Sequence, residues 1–367
     1  MPYTQQQTVF VLSMLSNLAI SQNGPVDALE QYLAQHIDAH LLASQPDIGV
    51  WTRAWGPAVF QAPRSSVADN VMYVAKNNAT PPQYVVAIAG TSYHSVWDVL
   101  IEDFLVSVQT PWIYGNPPAA STPRILAGTF IGLGILQVLM PGAPMPGANQ
   151  TLTTFLSGVT SQAIELIATG HSLGGALSPA LALWLSDTRS LWDPAGRATI
   201  SCEPTAGPTA GNGDFAAYYG TSLGPRTTRL HNSLDIVPHA WQDSDLAQLP
   251  ALYQPAIQPD IVVDALVATA RALVPGRDYQ QINETTPPLS GTVNTSIVDP
   301  ARPAFENYLV QAGYQHIDAY FTLLQVTISA EAMAAVRTAM GVPAAQRAAV
   351  RLQAQLERRR AIRPQTI

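Results

Sequence analysis

Cysteine is almost missing, with Cys202 the one thiol in 367 residues. An internal disulfide and a CxxC metal site are thereby excluded, so the fold has to stand on packing. Charge is also sparse: Asp, Glu, Lys and Arg make up 12% of the chain, and the formal net charge is −7. That balance offers no electrostatic footprint for nucleic acid. The first twenty residues, MPYTQQQTVFVLSMLSNLAI, lack a positively charged start, and Ser13, Ser16 and Asn17 interrupt their apolar run. No attached signal peptide is read there, which does not exclude secretion and leaves the compartment open. A membrane span is missing too. The most apolar long run, Ile125 to Met140, is broken by Gly128, Gly132, Gly134 and Gln137, and it falls short of the roughly 18 residues a span needs. It is expected to form a buried helix.

What is present is a 47% hydrophobic composition, enough for a sizeable core in a globular chain. After Pro25, the stretch VDALEQYLAQHIDAHL places Leu29, Tyr32, Leu33, His36, Ile37 and Leu41 at helical spacing, which predicts an amphipathic N-terminal helix. Val71–Ala75 and Tyr84–Ala89 read as strands, the second a nearly continuous apolar run of the kind a parallel sheet buries on both faces. A short helix near Leu152–Val159, a strand Glu165–Thr169, a helix Gly174–Leu185 and strands Thr199–Glu203 and Arg226–His231 follow. That alternation predicts an α/β fold with a mostly parallel central sheet and helices on both faces. The rhythm is lost between Trp241 and Pro303 apart from a helix at Ile261–Val274, and 241–303 is read as an insertion. The alanine-rich tail from residue 330 ends in Arg358, Arg359 and Arg360, read as a solvated basic helix end, with contact to an anionic surface as the alternative.

One short stretch carries chemistry. IELIATGHSLGGALSPALALWL, residues 164–185, sets Ser172 between Gly170 and Gly174, after a strand and before a helix. A serine hydroxyl is a weak nucleophile near neutral pH, so its use requires exposure, a base and stabilisation of the oxyanion formed. A tight strand-to-helix turn supplies the exposure, and side chains at the flanking glycine positions would collide with it. The helix N-terminus supplies the Leu173 amide as a first oxyanion donor. IAGTS, Ile88–Ser92, closes the apolar strand with a glycine and a hydroxyl residue, which makes Thr91 the candidate second donor.

In such a sheet the acid and then the histidine follow the serine along the chain. His36, His40, His94 and His171 precede Ser172, and His231 precedes the candidate acid Asp235 in TRLHNSLDIVPHAW. His239 and His316 remain. His239 lies four residues past Asp235 and has to fold back over Pro238, whereas His316, in AGYQHIDAY, arrives on a late segment. Asp243 and Asp245 are the alternative acids. His36 and His40 share the spacing of a helical zinc pair, but no third ligand accompanies them, and they are read as helix-face residues. No cofactor or metal is expected.

Together these residues resemble the class 3 lipase family of fungal-type α/β-hydrolases. The resemblance rests on TGHSLGGAL at 169–177, AGPTAGNGDF at 206–215, NSLDIVPH at 232–239, His316 with Tyr320, and weakly AGTS at 89–92, and it spans about Tyr84 to Tyr320. It implies one α/β-hydrolase domain with an N-terminal helical extension to about residue 65. It also implies Ser172, Asp235 and His316 as a triad, Thr91 and Leu173 as the oxyanion hole, and hydrolysis of lipid esters at a lipid–water interface. Phospholipase, feruloyl or short-chain esterase activity, and a silent lipase-like binding protein, are the alternatives. The family's arginine before the oxyanion-strand glycine is Ala89 here, and its disulfides are impossible. A lid is implied within 92–124, where Trp97, Leu100, Ile101 and Phe104 present an apolar face that equally suits an ordinary packed helix.

Overall fold

The computed structural model describes residues 2–20, 22–90, 108–274 and 276–340. Its framework is a five-stranded sheet: β1 (Thr52–Phe60), β2 (Asn70–Lys76), β3 (Gln83–Ile88), β6 (Ile164–His171) and β7 (Ala198–Thr205), side by side in that order. β2 pairs antiparallel with both neighbours, while β3, β6 and β7 run parallel. Only β2 opposes the common direction, as expected of a mostly parallel sheet. A second, small sheet joins β4 (Gln109–Pro111), β5 (Arg124–Leu126), β8 (Gly211–Asn212) and β9 (Tyr279–Gln280). It ties the stretch 241–303 to the body of the molecule.

The period-2 alternation of side chains sorts the sheet residues into two cores. Val71, Tyr73, Ala75, Val85 and Ala87 face one way and meet the N-terminal helices α1 (Gln5–Leu15) and α2 (Val26–Ala43). Met72, Val74, Val86 and Ile88 face the other way. There they pack against α3 (Ala127–Val138), α4 (Leu152–Val159) and α5 (Leu173–Asp187). Beyond β7 come α6 (Gly213–Ser222), α7 (Ile261–Leu273), α8 (Ala304–His316), α9 (Asp318–Leu323) and α10 (Ala330–Met340). A third apolar cluster joins α7 and α8 through Trp241, Leu249, Tyr253, Leu266, Tyr308 and Leu309, and gives 241–303 a core of its own.

Three expectations need correction. The run Ile125–Met140 is a strand end followed by α3, and the helix is not buried all round: Thr129, Leu133 and Leu136 face the core, whereas Ile131 and Val138 are 55% and 69% exposed. The expected strand Arg226–His231 makes only two isolated parallel bridges, Cys202 with Thr227 and Thr205 with Leu230. A 3-10 turn at Gly224–Arg226 leads into it, and the chain turns away again at Asn232, so the ladder never lengthens. Thirdly, the N-terminal extension expected to be helical to about residue 65 is helical only in its first part, and β1 at Thr52–Phe60 lies within it. The interior of β1 holds Gly56 and Pro57 and its register with β2 shifts twice, which blurs the alternation that announces a strand. The basic tail, residues 341–367, lies outside the described residues.

Helix α1 is capped by Thr4, whose side chain accepts from the Gln7 amide in a capping box. All eight residues from Thr8 to Leu15 are buried. At its start Gln5 Nε2 donates to Glu203 Oε1 of β7 at 2.6 Å, while Glu203 Oε2 is buried without a hydrogen-bond partner among the described residues. Burial pushes the Glu203 carboxyl above its ordinary value of 4.5. A carboxyl raised in the folded state binds its proton more tightly there than in the unfolded chain. The stability it contributes is therefore present in acid and lost as pH rises through the raised value. Glu203→Gln keeps the acceptor for Gln5 and removes the charge. It is expected to melt roughly 2–4 °C higher than wild type at pH 7, for a gain of about 1 kcal/mol. The advantage should vanish in melts recorded below the ordinary carboxylate range.

Candidate active site

Strand β6 ends at His171 and α5 begins at Leu173, so Ser172 alone makes the turn. Its backbone sits at φ 60° and ψ −124°, a left-handed conformation that costs a non-glycine residue on the order of 1–3 kcal/mol. Two hydrogen bonds hold it there: the Ser172 amide donates to Thr205 O at 3.1 Å, and its carbonyl accepts from the Gly175 amide at 2.8 Å. The flanking glycines are required by close approach. A Cβ on Gly170 would lie 2.3 Å from Gly174 O, and one on Gly174 would lie 2.2 Å from Ile88 O and 3.1 Å from Ala89. The second contact brings the end of β3 against the first turn of α5, beside the amides that a helix start leaves unpaired.

Asp235 and His316 meet although 81 residues separate them. His316, the last residue of α8, bonds through Nδ1 to Asp235 Oδ2 at 2.9 Å and Oδ1 at 3.1 Å, and both side chains are fully buried. Tyr320 on α9 donates its hydroxyl to Asp235 Oδ2 at 2.9 Å, and the Val237 amide donates to Oδ1 at 3.0 Å. Asn232 pins this turn to α8: its Nδ2 donates to Gln315 Oε1 at 2.7 Å, and its own amide donates to the Tyr320 hydroxyl at 2.9 Å. Three donors thus fix the plane of the Asp235 carboxylate. His316 Nε2, the opposite edge of the ring, is buried with no hydrogen bond among the described residues.

The serine turn and this pair adjoin. The ring of His171, next to Ser172 in the chain, lies 4.7 Å from the His316 ring and 5.5 Å from Tyr320, edge-on to the latter. Burial, followed by the nearby His316 ring, pushes the His171 imidazole well below its ordinary range and keeps it neutral. A half-buried serine turn, an imidazole with one nitrogen unbonded among the described residues and a buried carboxylate therefore gather at the C-terminal edge of β3, β6 and β7.

A family model described as lipase (class 3) matches residues 85–244 of the chain. The crystal structure of M37 lipase is 36% identical, with a TM-score of 0.80 over 88% of this chain and 93% of that one. The chain belongs to the class 3 lipase family. It is an α/β-hydrolase and an ester hydrolase of the lipase type. Lipase II from Rhizopus niveus is 18% identical over 66% of this chain and 76% of that one, with a TM-score of 0.44. The lipase from Rhizopus microsporus var. chinensis is 16% identical over 66% and 72%, at 0.42. No curated protein sequence matches the chain.

In this class 3 lipase, Ser172, Leu173, Asp235 and His316 fall in one place. Thr91, Trp97, Leu100, Ile101 and Phe104 lie outside the described residues. The described end of the expected lid segment is anchored to the body, because Trp112 is buried and its indole N–H donates to Asp187 Oδ2 at 2.8 Å. His239 stays with the turn itself, its Nδ1 bonding to the Asp235 backbone carbonyl at 2.8 Å. His231 is half-buried beside Arg229, and desolvation with that guanidinium pushes its imidazole down to about 4. Asp243 is exposed and paired with Arg271 at 2.8 Å, and Asp245 follows it in the short helix Asp243–Leu246. His36 stacks on Tyr32 and its Nε2 lies 3.4 Å from Glu331, while His40 bonds to Ser329, so the two rings meet neighbouring residues at the start of α10. The bond from Tyr320 to Asp235 was not read from the sequence. The signal was there in the four-residue spacing from His316, although Ile317 breaks the helix between them.

Proposed function

We propose that Ser172, His316 and Asp235 are the catalytic triad of this lipase and that Leu173 and Thr91 bind the oxyanion. His316 Nε2 takes the proton from Ser172 Oγ as that oxygen attacks the ester carbonyl carbon. Asp235 holds the Nδ1–H and stabilises the imidazolium. The tetrahedral oxyanion is stabilised by the Leu173 and Thr91 amides. Its collapse releases the alcohol with a proton from His316, and water then cleaves the acyl-serine by the same route. The observation that carries this reading is the buried Asp235–His316 bond at 2.9 Å, placed beside a serine held at a positive φ.

The substrate in this proposal is a lipid ester taken from a lipid–water interface. Support comes from the outer face of α3, where Ile131 and Val138 stand two turns apart on one side and are largely exposed, with Met140 just beyond. A fluorophosphonate probe tests the nucleophile. Incubated with the full chain, it is expected to add one phosphonyl group, mapped by mass spectrometry to the peptide containing Ser172. A protein that stays unlabelled at Ser172 would keep the lipase fold without the chemistry.

A further inference from the structure

We propose that Asn17, delivered by the N-terminal helical extension, is a positioning residue for the oxyanion hole; the inference rests on the triad reading above. The residue before Gly90 is Ala89, whose methyl group can hold no loop in place. The structure supplies another anchor. Asn17 Oδ1 accepts from the Gly90 amide at 2.9 Å, and the bond is buried. Asn17 is 0% exposed and stands 73 residues away in sequence.

The orientation of that amide is determined. Its Nδ2 donates to Ser13 O at 3.2 Å and to Ser16 Oγ at 3.4 Å, and Ser16 Oγ in turn donates to Ser13 O at 2.7 Å. Turning the amide over would place its NH2 against the Gly90 N–H and its oxygen against Ser13 O, two donor–donor and acceptor–acceptor clashes. Asn17 lies in the turn that follows α1, and that helix is itself fixed, by Gln5 on Glu203 at one end and by the Tyr73 hydroxyl on Leu12 O at 2.6 Å near the other. Asn17 therefore presents a fixed acceptor to the peptide that ends β3.

What it holds there matters because of the neighbour. Gly174 lies so close to Ile88 and Ala89 that the end of β3 and the start of α5 form one contact. The Ala89 amide is already tied to Val71 O at 3.0 Å, and the Gly90 amide is the next donor along the chain. With both fixed, the end of β3 is held against the first turn of α5, next to the Leu173 amide, and Thr91 is the residue that follows in the chain. A displacement of about 1 Å in such a donor costs on the order of 100-fold in rate, while substrate binding elsewhere is untouched. The signature of a positioning role is a fall in kcat with KM preserved.

Asn17→Leu keeps the shape of the side chain and removes the oxygen; Asn17→Asp keeps an oxygen that accepts from Gly90. On p-nitrophenyl butyrate, with sites counted by fluorophosphonate titration, Asn17→Leu is expected to lower kcat about 10–100-fold with KM within threefold. Asn17→Asp is expected to retain at least five times more. Val11→Ala, in the helix that precedes Asn17 and equally buried, is the control: its melting temperature falls and kcat per titrated site stays within twofold. If Asn17→Leu does not fold, Asn17→Ser, one bond too short to reach Gly90, takes its place with the same expected loss. Wild-type kcat per site in the Leu or Ser variant overturns the inference, as does equal loss in the Leu and Asp variants. Failure of the triad reading is distinguishable, since the wild-type protein would then remain unlabelled at Ser172.

Discussion

Ser172→Ala is expected to lose p-nitrophenyl ester hydrolysis by a factor of about 10⁴ or more in kcat, and to melt close to wild type. The loss is large because a triad acts as a unit, so that removing the nucleophile leaves only the oxyanion site and binding to act on the substrate. The stability is spared for a separate reason. The turn is held by backbone atoms, Ser172 N to Thr205 O and Gly175 N to Ser172 O, and alanine keeps both bonds. No hydrogen bond from Ser172 Oγ to another described residue holds the fold. Initial rates on soluble esters, beside a thermal melt, make the check. Retention of more than a few per cent of the activity would place the nucleophile elsewhere.

The second large effect separates two histidines. His316→Ala is expected to cost about as much as the serine change, because it removes the base and also leaves the buried Asp235 carboxylate without its main partner. His239→Ala is expected to stay within tenfold of wild type in kcat. Its ring bonds to the backbone carbonyl of Asp235 and not to the carboxylate, so its loss loosens the turn without removing a proton acceptor. Stability should follow a different order from activity. His316→Ala opens a cavity against His171 and Tyr320 and strands a buried charge, so a fall in melting temperature accompanies the fall in rate. Activity measured per folded molecule therefore decides the matter, and a His239 variant more damaged than the His316 variant would reassign the base.

Much of this site was legible before any coordinates, for physical reasons. A strand, a serine between two glycines and a helix are consecutive in the chain, so Ile164–Leu185 announces its own turn. The order serine, acid, histidine along the chain then leaves Asp235 with His239 or His316, and topology favours the later ring. What stayed hidden depends on contacts across long separations. Tyr320 meets Asp235 only because α8 ends at His316 and the chain re-enters a helix at once. Asn17 meets Gly90 across the sheet, and from the sequence it served only to argue against a leader. The face of α3 misled for another reason. Glycines at 128, 132 and 134 add no polar marker, so composition could not separate the side that packs from the side that faces water.

The burial of α1 also has a consequence for synthesis. Its apolar residues pack on β3, β6 and β7, and the last of these strands ends at Thr205, about 190 residues after the helix. At the pace of translation that is an interval of roughly 10–40 s. During it a nascent helix with no landing surface of its own has to be kept from sticking to other chains. The segment that finishes the interior thus leaves the ribosome well before the strands it covers.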